Sequence, residues 1–463
     1  MNIGALYQIY QQHPVISTDS RNCPPGSLFF ALKGESFNGN HFADKALAAG
    51  CSYAVVDDPS IRSDDRHILV DDVLQTLQQL AAHHRRTLHT PVIAITGTNG
   101  KTTTKELVAA VLATKYHLLY TSGNLNNHIG VPLTLLRLRP EHEIAAIEMG
   151  ANHPGEISAL CRIAQPDYGI ITNVGLAHLE GFGSFEGVIQ TKGELYDYLR
   201  ETKGKIFIHR DNPHLKSIAA GLEQIAYGES PAPTDASRIQ TQPTNLSPNE
   251  RFTAGKIQTQ PSQPENNKPF VSGRVQCAHP LLSIEWENAE AHYSVSTQLV
   301  GTYNLWNVLA AISVGLYFNV PAQDINRAIS EYQPSNNRSQ RQKTAHNELI
   351  IDAYNANPSS MEAALSNFAS LPVTPKAVIL GDMLELGAEC LRLHAEIVKQ
   401  LDRYAFEKVF LCGNNFSSIC SEYQCFPDIK ALSRHLSSHQ LRGHFILIKG
   451  SHGIHLEKII DFL

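Results

Sequence analysis

The sequence predicts an α/β fold in three domains, and three observations predict it. A β-branched apolar run, Pro91-Val92-Ile93-Ala94-Ile95-Thr96, ends in a glycine turn and gives way to a helical pattern from Thr102 to Thr114, the opening of a parallel α/β sheet. Further short apolar runs recur, separated by stretches of helical spacing. The chain's 463 residues suffice for three domains of roughly 100–200 residues each. The architecture expected is a small α/β unit, then a central phosphate-loop-type parallel sheet with a small antiparallel section inserted, then a Rossmann-like α/β domain.

Residues 1–88 form the first unit. Gly26–Leu32 is a turn and an apolar run, and Cys51–Val56 is another, with a helix-like stretch from His41 to Ala49 between them. Val73, Leu77 and Leu80 set a helical period over Val73–Leu88. The second unit, 89–333, adds buried-strand runs at Ile144–Glu148 and Tyr168–Thr172. Within it, residues 228–270 are rich in Pro, Gln, Thr, Ser and Asn and hold too few apolar side chains to repay ordering. They read as a surface insertion whose deletion is expected to leave activity within about threefold. Alternation at Leu282-Ser283-Ile284-Glu285-Trp286 suggests antiparallel strands, and a helix from Asn304 to Phe318 returns to the sheet. In the third unit, 334–463, Leu349–Ile351, Ala377–Leu380, Val409–Leu411 and Phe445–Ile448 are strand runs separated by helical patterns, a parallel layout again.

Composition narrows the function. A formal net charge of -6 gives no general attraction to nucleic acid or anionic membranes. No apolar run reaches the roughly 18 residues that span a bilayer, and the N-terminus lacks the basic-then-apolar pattern of a signal peptide. The 8 cysteines include no C-x-x-C pair, which argues against a zinc ribbon or redox dithiol; reduced, mostly buried thiols in a cytoplasmic monomer are expected.

The strongest chemical signal is Gly97-Thr98-Asn99-Gly100-Lys101-Thr102-Thr103 between strand and helix. Glycines let backbone N–H groups close around phosphate oxygens, the helix N-terminus adds positive charge, Lys101 neutralises outer phosphates and the Thr102 hydroxyl can hold Mg²⁺. In the general pattern G-x-x-x-x-G-K-[ST] the first glycine would fall on Ile95, so this loop is shorter. Glu148 ends a buried strand, where parallel sheets bind ligands; it can serve Mg²⁺ or a salt bridge. His178 and Lys192 flank Gly181-Phe182-Gly183 and taken alone carry no assignment. A guanine-reading N-K-x-D motif is missing, since Asn267-Lys268-Pro269-Phe270 lacks the acid.

Together these motifs resemble the Mur ligase family. The resemblance is carried by Gly97–Thr103, Gly123–Pro132, Glu148–Ile157, Ala177–Gly183, Lys192-Gly193-Glu194, Asp352–Pro358 and Gly381–Gly387, and it covers all but about 228–270. In that family the shorter phosphate loop is usual. The resemblance implies an ADP-forming, Mg²⁺-dependent ligase with two metal ions. Its first domain would bind the UDP part of the substrate, its second ATP, and its third the incoming amine and part of ATP. Thr102, Glu148 and His178 would be metal-site residues, joined by Lys192 as a carbamate, with Lys101, Glu148, His178 and Lys192 catalytic. Gly97–Thr103, Asn304, Asn307, Arg338 and Asp352 would contact ATP. Ser20, Arg21, Asn126, Asn127, Tyr354 and Asn357 would contact the other substrates, as would the Lys33–Phe37 stretch. Two departures stand out: Tyr303 where a histidine is common, and His452 after Lys449-Gly450-Ser451 where an arginine is usual.

Within the family, the Tyr-Asn-Ala-Asn and Gly-Asp-Met strings favour the member that adds D-alanyl-D-alanine to UDP-N-acetylmuramoyl-tripeptide through an acyl phosphate. A sibling adding one diamino acid would carry D-N-P-R; the only D-N-P here is Asp211-Asn212-Pro213, followed by His214. A folate polyglutamate ligase lacks the Asn126–Gly130 context. A non-catalytic nucleotide-binding regulator would be expected to have lost Lys101, Glu148 or Lys192.

Overall fold

The computed structural model describes residues 1–61, 64–230, 270–334, 338–419 and 422–463. They form three sheets. The first pairs four parallel strands in chain order, Ile16–Ser17, Leu28–Phe30, Tyr53–Val56 and His67–Leu69. The outer two, of two and three residues, are too short to show a period in sequence. The helix Val73–Leu88 starts where Asp72 accepts a hydrogen bond from the Gln75 N–H at 2.7 Å. Its apolar face does not stop at its own sheet: Leu77 and Leu80 share one core with Leu135, Ile157 and Leu160 of the central unit. Arg85, buried on the same helix, donates to the carbonyls of Ala164 (3.0 Å) and Gln165 (3.1 Å) and pairs with Asp167 at 3.0 Å.

The central sheet has nine strands, in the spatial order 292–296, 283–287, 271–277, 223–229, 205–209, 168–171, 92–96, 144–148 and 118–120. Strands from Leu118–Tyr120 across to Val271–Cys277 run parallel. The expected antiparallel section is there, but as the continuation of this sheet rather than a separate piece, with Ser283–Glu287 and His292–Ser296 its last two strands. The helices Lys101–Leu112 and Leu305–Tyr317 pack together over one face, around Leu107, Val108, Val111, Leu309 and Ile312.

Residues 231–269, nearly all of the low-complexity stretch, lie outside the described residues. Their flanks change the deletion argument. Glu223–Glu229 and Val271–Cys277 are parallel neighbours with Tyr227 opposite Val271, so the connection must also carry the chain back. Removing 228–270 outright would delete Gly228 and Glu229 from the pairing and leave no return path; a shorter linker is what the topology allows.

The third sheet has the order 340–343, 348–352, 445–449, 376–381, 408–412 and 424–426, parallel except for Gln340–Lys343 at the edge. Its apolar seam with the rest is small, with Val300, Leu179 and Leu281 packing into its core. Among the described residues no helix is long and apolar enough to cross a membrane. The described cysteines are less buried than expected: Cys51, Cys161 and Cys412 are buried, but Cys277 is exposed and Cys23, Cys390 and Cys425 lie between.

Candidate functional site

Strands Val92–Thr96, Ile144–Glu148 and Tyr168–Ile171 all end at one edge of the central sheet. There they open into a cavity of about 620 Å³ whose far wall comes from the third sheet. The loop Gly97–Gly100 is tied down on every side. Thr98 N–H donates to Asn173 O (2.9 Å), Asn99 N–H to Asn173 Oδ1 (2.9 Å), and Thr172 Oγ1 and Asn173 Nδ2 both donate to Asn99 O (2.6 and 2.9 Å). Two glycines are required here. Gly97 has φ 141° with a Cβ position 2.0 Å from Thr172 Oγ1, and Gly100 has φ 77° with one 2.6 Å from Asn307 Oδ1.

Lys101 curls over this loop and donates to Gly97 O (2.8 Å) and Thr98 O (3.1 Å). Burial pulls its pKa down to about 8, opposed by Glu148 and reinforced by Arg338. Glu148, 1% exposed, accepts on Oε1 from Thr102 Oγ1 (3.2 Å) and Asn126 Nδ2 (2.8 Å), while Oε2 is buried with no hydrogen-bond partner among the described residues. An orphaned carboxylate oxygen beside a threonine hydroxyl is a donor set suited to Mg²⁺, which takes hard oxygens and keeps several waters. Among the described residues no three His, Cys, Asp or Glu side chains converge into a metal cage.

His178 lines the cavity with φ 51°, and its Nδ1 pairs with Glu385 of the third sheet, whose carboxyl it holds below the usual range. Lys192 is 1% exposed, donates to Ala151 O at 3.3 Å and sits 5.1 Å from the Phe182 ring centroid. Burial, then the charge of Lys101, lowers it to about 7 against the pull of Glu156 and Glu194. A primary amine at this pKa is substantially neutral, and so nucleophilic, at physiological pH.

The third sheet supplies the opposite wall. Asp352 Oδ2 pairs with buried Lys449 at 2.5 Å, and Lys449 also donates to Asn355 O at 3.2 Å. The Arg338 guanidinium lies 3.9 Å from the Tyr354 ring centroid, its Nε buried without a partner among the described residues, and Tyr354 stacks on His452 at 5.6 Å. Asn357 caps the helix Pro358–Ser370, accepting from Ser360 N–H at 2.9 Å, and its Nδ2 donates 2.8 Å across to Asn99 Oδ1 on the phosphate loop. Ser359 Oγ accepts from Leu176 N–H at 3.3 Å. The third sheet is therefore latched over the loop.

Most of the residues singled out in sequence meet here: Thr98–Lys101, Thr103, Asn126, Asn127, Glu148, His178, Asn304, Asn307, Arg338, Asp352 and Tyr354 line the cavity. Three have structural duties as well. Asn127 Oδ1 accepts from Ile129 and Gly130 N–H at the start of a helix; Asn304 Nδ2 donates to Val300 O; and Asn307 bridges Asn304 and Thr104. Ser20 and Arg21 are not brought to the cavity: Arg21 is exposed and, among the described residues, paired only with Asp19 at 2.8 Å. Asn173, Trp306, Glu385 and Lys449 went unassigned in sequence. Asn173 stands two residues beyond the strand Tyr168–Ile171, which is its one available signal, whereas Trp306 looks like any helix aromatic.

A phosphate-binding loop at a sheet edge, a carboxylate with a free oxygen beside it and a latched third domain define a multidomain phosphate-loop enzyme. The chain belongs to the Mur ligase family. Family models described as Mur ligase family, catalytic domain; Mur ligase middle domain; and Mur ligase, glutamate ligase domain match residues 14–85, 95–315 and 337–452. Curated proteins named UDP-N-acetylmuramoyl-tripeptide--D-alanyl-D-alanine ligase are 33% identical in Bacillus subtilis (strain 168), over 97% of this chain and 92% of that protein, and 32% in Escherichia coli (strain K12), over 97% and 93%. Among solved structures, MurF from Acinetobacter baumannii is similar at TM-score 0.82 and 27% identity, covering 99% of this chain and 98% of that one. The fold is also that of a MurF ligase from Thermotoga maritima in complex with ADP, at TM-score 0.79 over 97% of each chain and 24% identity.

Proposed function

We propose that this chain joins D-alanyl-D-alanine to UDP-N-acetylmuramoyl-tripeptide at the expense of ATP, making the pentapeptide precursor of peptidoglycan. The observation that carries the reading is the cavity in which Lys101 and Glu148 of the phosphate-loop side face Arg338, Asp352 and Lys449 of the third sheet. The kinship with the named ligases over nearly the whole chain supports the choice of substrates.

A carboxylate is a poor electrophile, so the γ-phosphoryl group of ATP moves first to the terminal carboxylate of the tripeptide, giving an acyl phosphate and ADP. The amine of D-alanyl-D-alanine then attacks the acyl carbon, the C–O bond to phosphate breaks, and inorganic phosphate leaves as the amine sheds a proton. Two anions must meet in the first step. Lys101 leaves the loop carbonyls for the phosphate oxygens, and the loop N–H groups and the N-terminus of Lys101–Leu112 share the charge. Thr102, Glu148 and His178 would hold Mg²⁺, which would neutralise phosphate charge when bound. The neutral amine of Lys192 would take up CO₂ to give a carbamate and a proton, and the carbamate, an anion where the protonated lysine would be a cation, would be suited to holding metal. Arg338 and Asp352 complete the ATP site, Tyr354 and Asn357 face the incoming dipeptide, and Asn126 and Asn127 face the UDP-linked substrate. The first sheet, with Ser20, Arg21 and the Lys33–Phe37 stretch, binds the UDP part. We take the chain to act as a monomer and place the reaction in the cytoplasm, where ATP is made.

The test is phosphate release from ATP with the UDP-linked tripeptide, with and without D-alanyl-D-alanine. Release that needs both substrates, with a pentapeptide product by mass, is expected. Release driven by a single amino acid and a shorter precursor would make the chain a sibling ligase, and no release under any pairing would leave a nucleotide-binding regulator.

A further inference from the structure

We propose that Trp306 is the surface on which the base of the bound nucleotide stacks, held face-on by His209 behind it. The inference rests on the reading of the cavity as an ATP site and names the side chain that grips the base. The helix Leu305–Tyr317 begins beside the phosphate loop, where Thr104 Oγ1 donates to Asn307 Oδ1 at 3.0 Å. Trp306, one residue earlier, lines the same cavity with its indole half-buried.

The polar groups around it are already engaged. Asn307 Nδ2 donates to Asn304 Oδ1 (2.7 Å), Asn304 Nδ2 to Val300 O (2.8 Å), and the Tyr303 hydroxyl meets Ser339 Oγ at 2.8 Å. These bonds lock the first turn of the helix; Tyr303 and Trp306 are the rings it presents to the cavity, and Trp306 is the one backed by a second ring. His209, at the end of the strand Lys205–His209, stacks on that indole with centroids 3.9 Å apart and planes at 27°, and is itself parallel to Tyr227 at 5.8 Å and 9°. Burial pushes His209 down to about 4, so near neutral pH it packs as an uncharged ring. An indole fixed before the ligand arrives loses little freedom on binding, and stacking accepts any base because every base has a π-face.

The chain has two tryptophans, which makes the test direct. Trp286 is buried, donates to Asn326 Oδ1 at 2.9 Å, stacks on Tyr293 at 4.3 Å and does not line the cavity. ADP is titrated against the full chain, Trp306→Phe and Trp306→Ala, followed by intrinsic fluorescence and by calorimetry. The expected result is quenching in the unaltered chain that both variants lose. ADP affinity should stay within about threefold in Trp306→Phe and fall about tenfold in Trp306→Ala, with KM for the dipeptide unmoved. Full quenching retained in Trp306→Phe, or unchanged ADP affinity in a folded Trp306→Ala, overturns the inference and leaves the nucleotide site standing; should the alanine variant fail to fold, the phenylalanine variant still decides. Failure of the unaltered chain to bind ADP overturns the ATP reading along with it.

Discussion

The loop Gly97–Thr103 and the loop Asp19–Cys23 both follow short strands, and both carry residues expected to touch a substrate. The first is fastened by side chains from Thr172 and Asn173, backed by Asn307 and latched by Asn357 from another sheet. The second holds Arg21 only through Asp19, two residues away on the same exposed turn. That ion pair lowers the Asp19 carboxyl to about 2, yet a pair in open solvent contributes little to stability. A buried loop is shaped before its ligand comes; an exposed one is ordered by it. Substitutions in the first should therefore strike kcat, and in the second KM.

The largest expected effect is that of Lys101→Ala, a fall of about 10³ in kcat for phosphate release, because the transferring phosphoryl group loses its cation. Its melting temperature should not drop, since burial already disfavours the charge there; a loss of rate under tenfold would place the phosphates elsewhere. Lys192→Met comes next, at about 10² in kcat. In the unaltered chain the same residue should make kcat rise with pH through about 7, the pKa to which burial lowers it. The neutral amine goes from about a tenth at pH 6 to about nine-tenths at pH 8, and added bicarbonate should lift the rate at the low end. A flat profile, insensitive to bicarbonate, would argue against a carbamate.

Asn357→Ala should cost about tenfold in kcat/KM for ATP by opening the latch, together with about 1 kcal/mol of stability from the lost cap. Asn357→Asp keeps the cap and loses the donor, so latching is confirmed if the aspartate variant shares the kinetic loss but not the thermal one. The smallest effect is that of Arg21→Ala: a several-fold rise in KM for the UDP-linked substrate, with kcat, KM for ATP and the melting temperature unmoved. A lowered kcat would mean that this loop is part of the fastened region after all.

The same contrast explains what could be read from the sequence. Val92–Thr96, Ile144–Glu148 and Tyr168–Ile171 are buried on both faces, so their apolar runs announce them, and the glycine turn fixes the phosphate loop between strand and helix. Ile16–Ser17 and His67–Leu69 are too short for any period, and the helix Ile3–Gln12 went unnoticed although Asn2 caps it. The near wall of the site was legible because its residues stand in continuous motifs. Contacts between sheets were not: nothing local says that Asn357 reaches Asn99, that Glu385 reaches His178, or that His209 lies under Trp306, partners separated by up to 258 positions.

The helix Val73–Leu88 belongs by chain position to the first sheet and by packing to the second, through the shared core around Leu77 and the grip of Arg85 on Ala164 and Asp167. Three sheets thus make two mechanical bodies. The first two form one bench; the third meets it through a narrow apolar seam and a few hydrogen bonds. A ligand whose contacts all lie on the bench needs one body, whereas one that touches the third sheet as well needs both. The number of bodies a substrate has to meet is in that sense set by a helix that does not line the cavity at all.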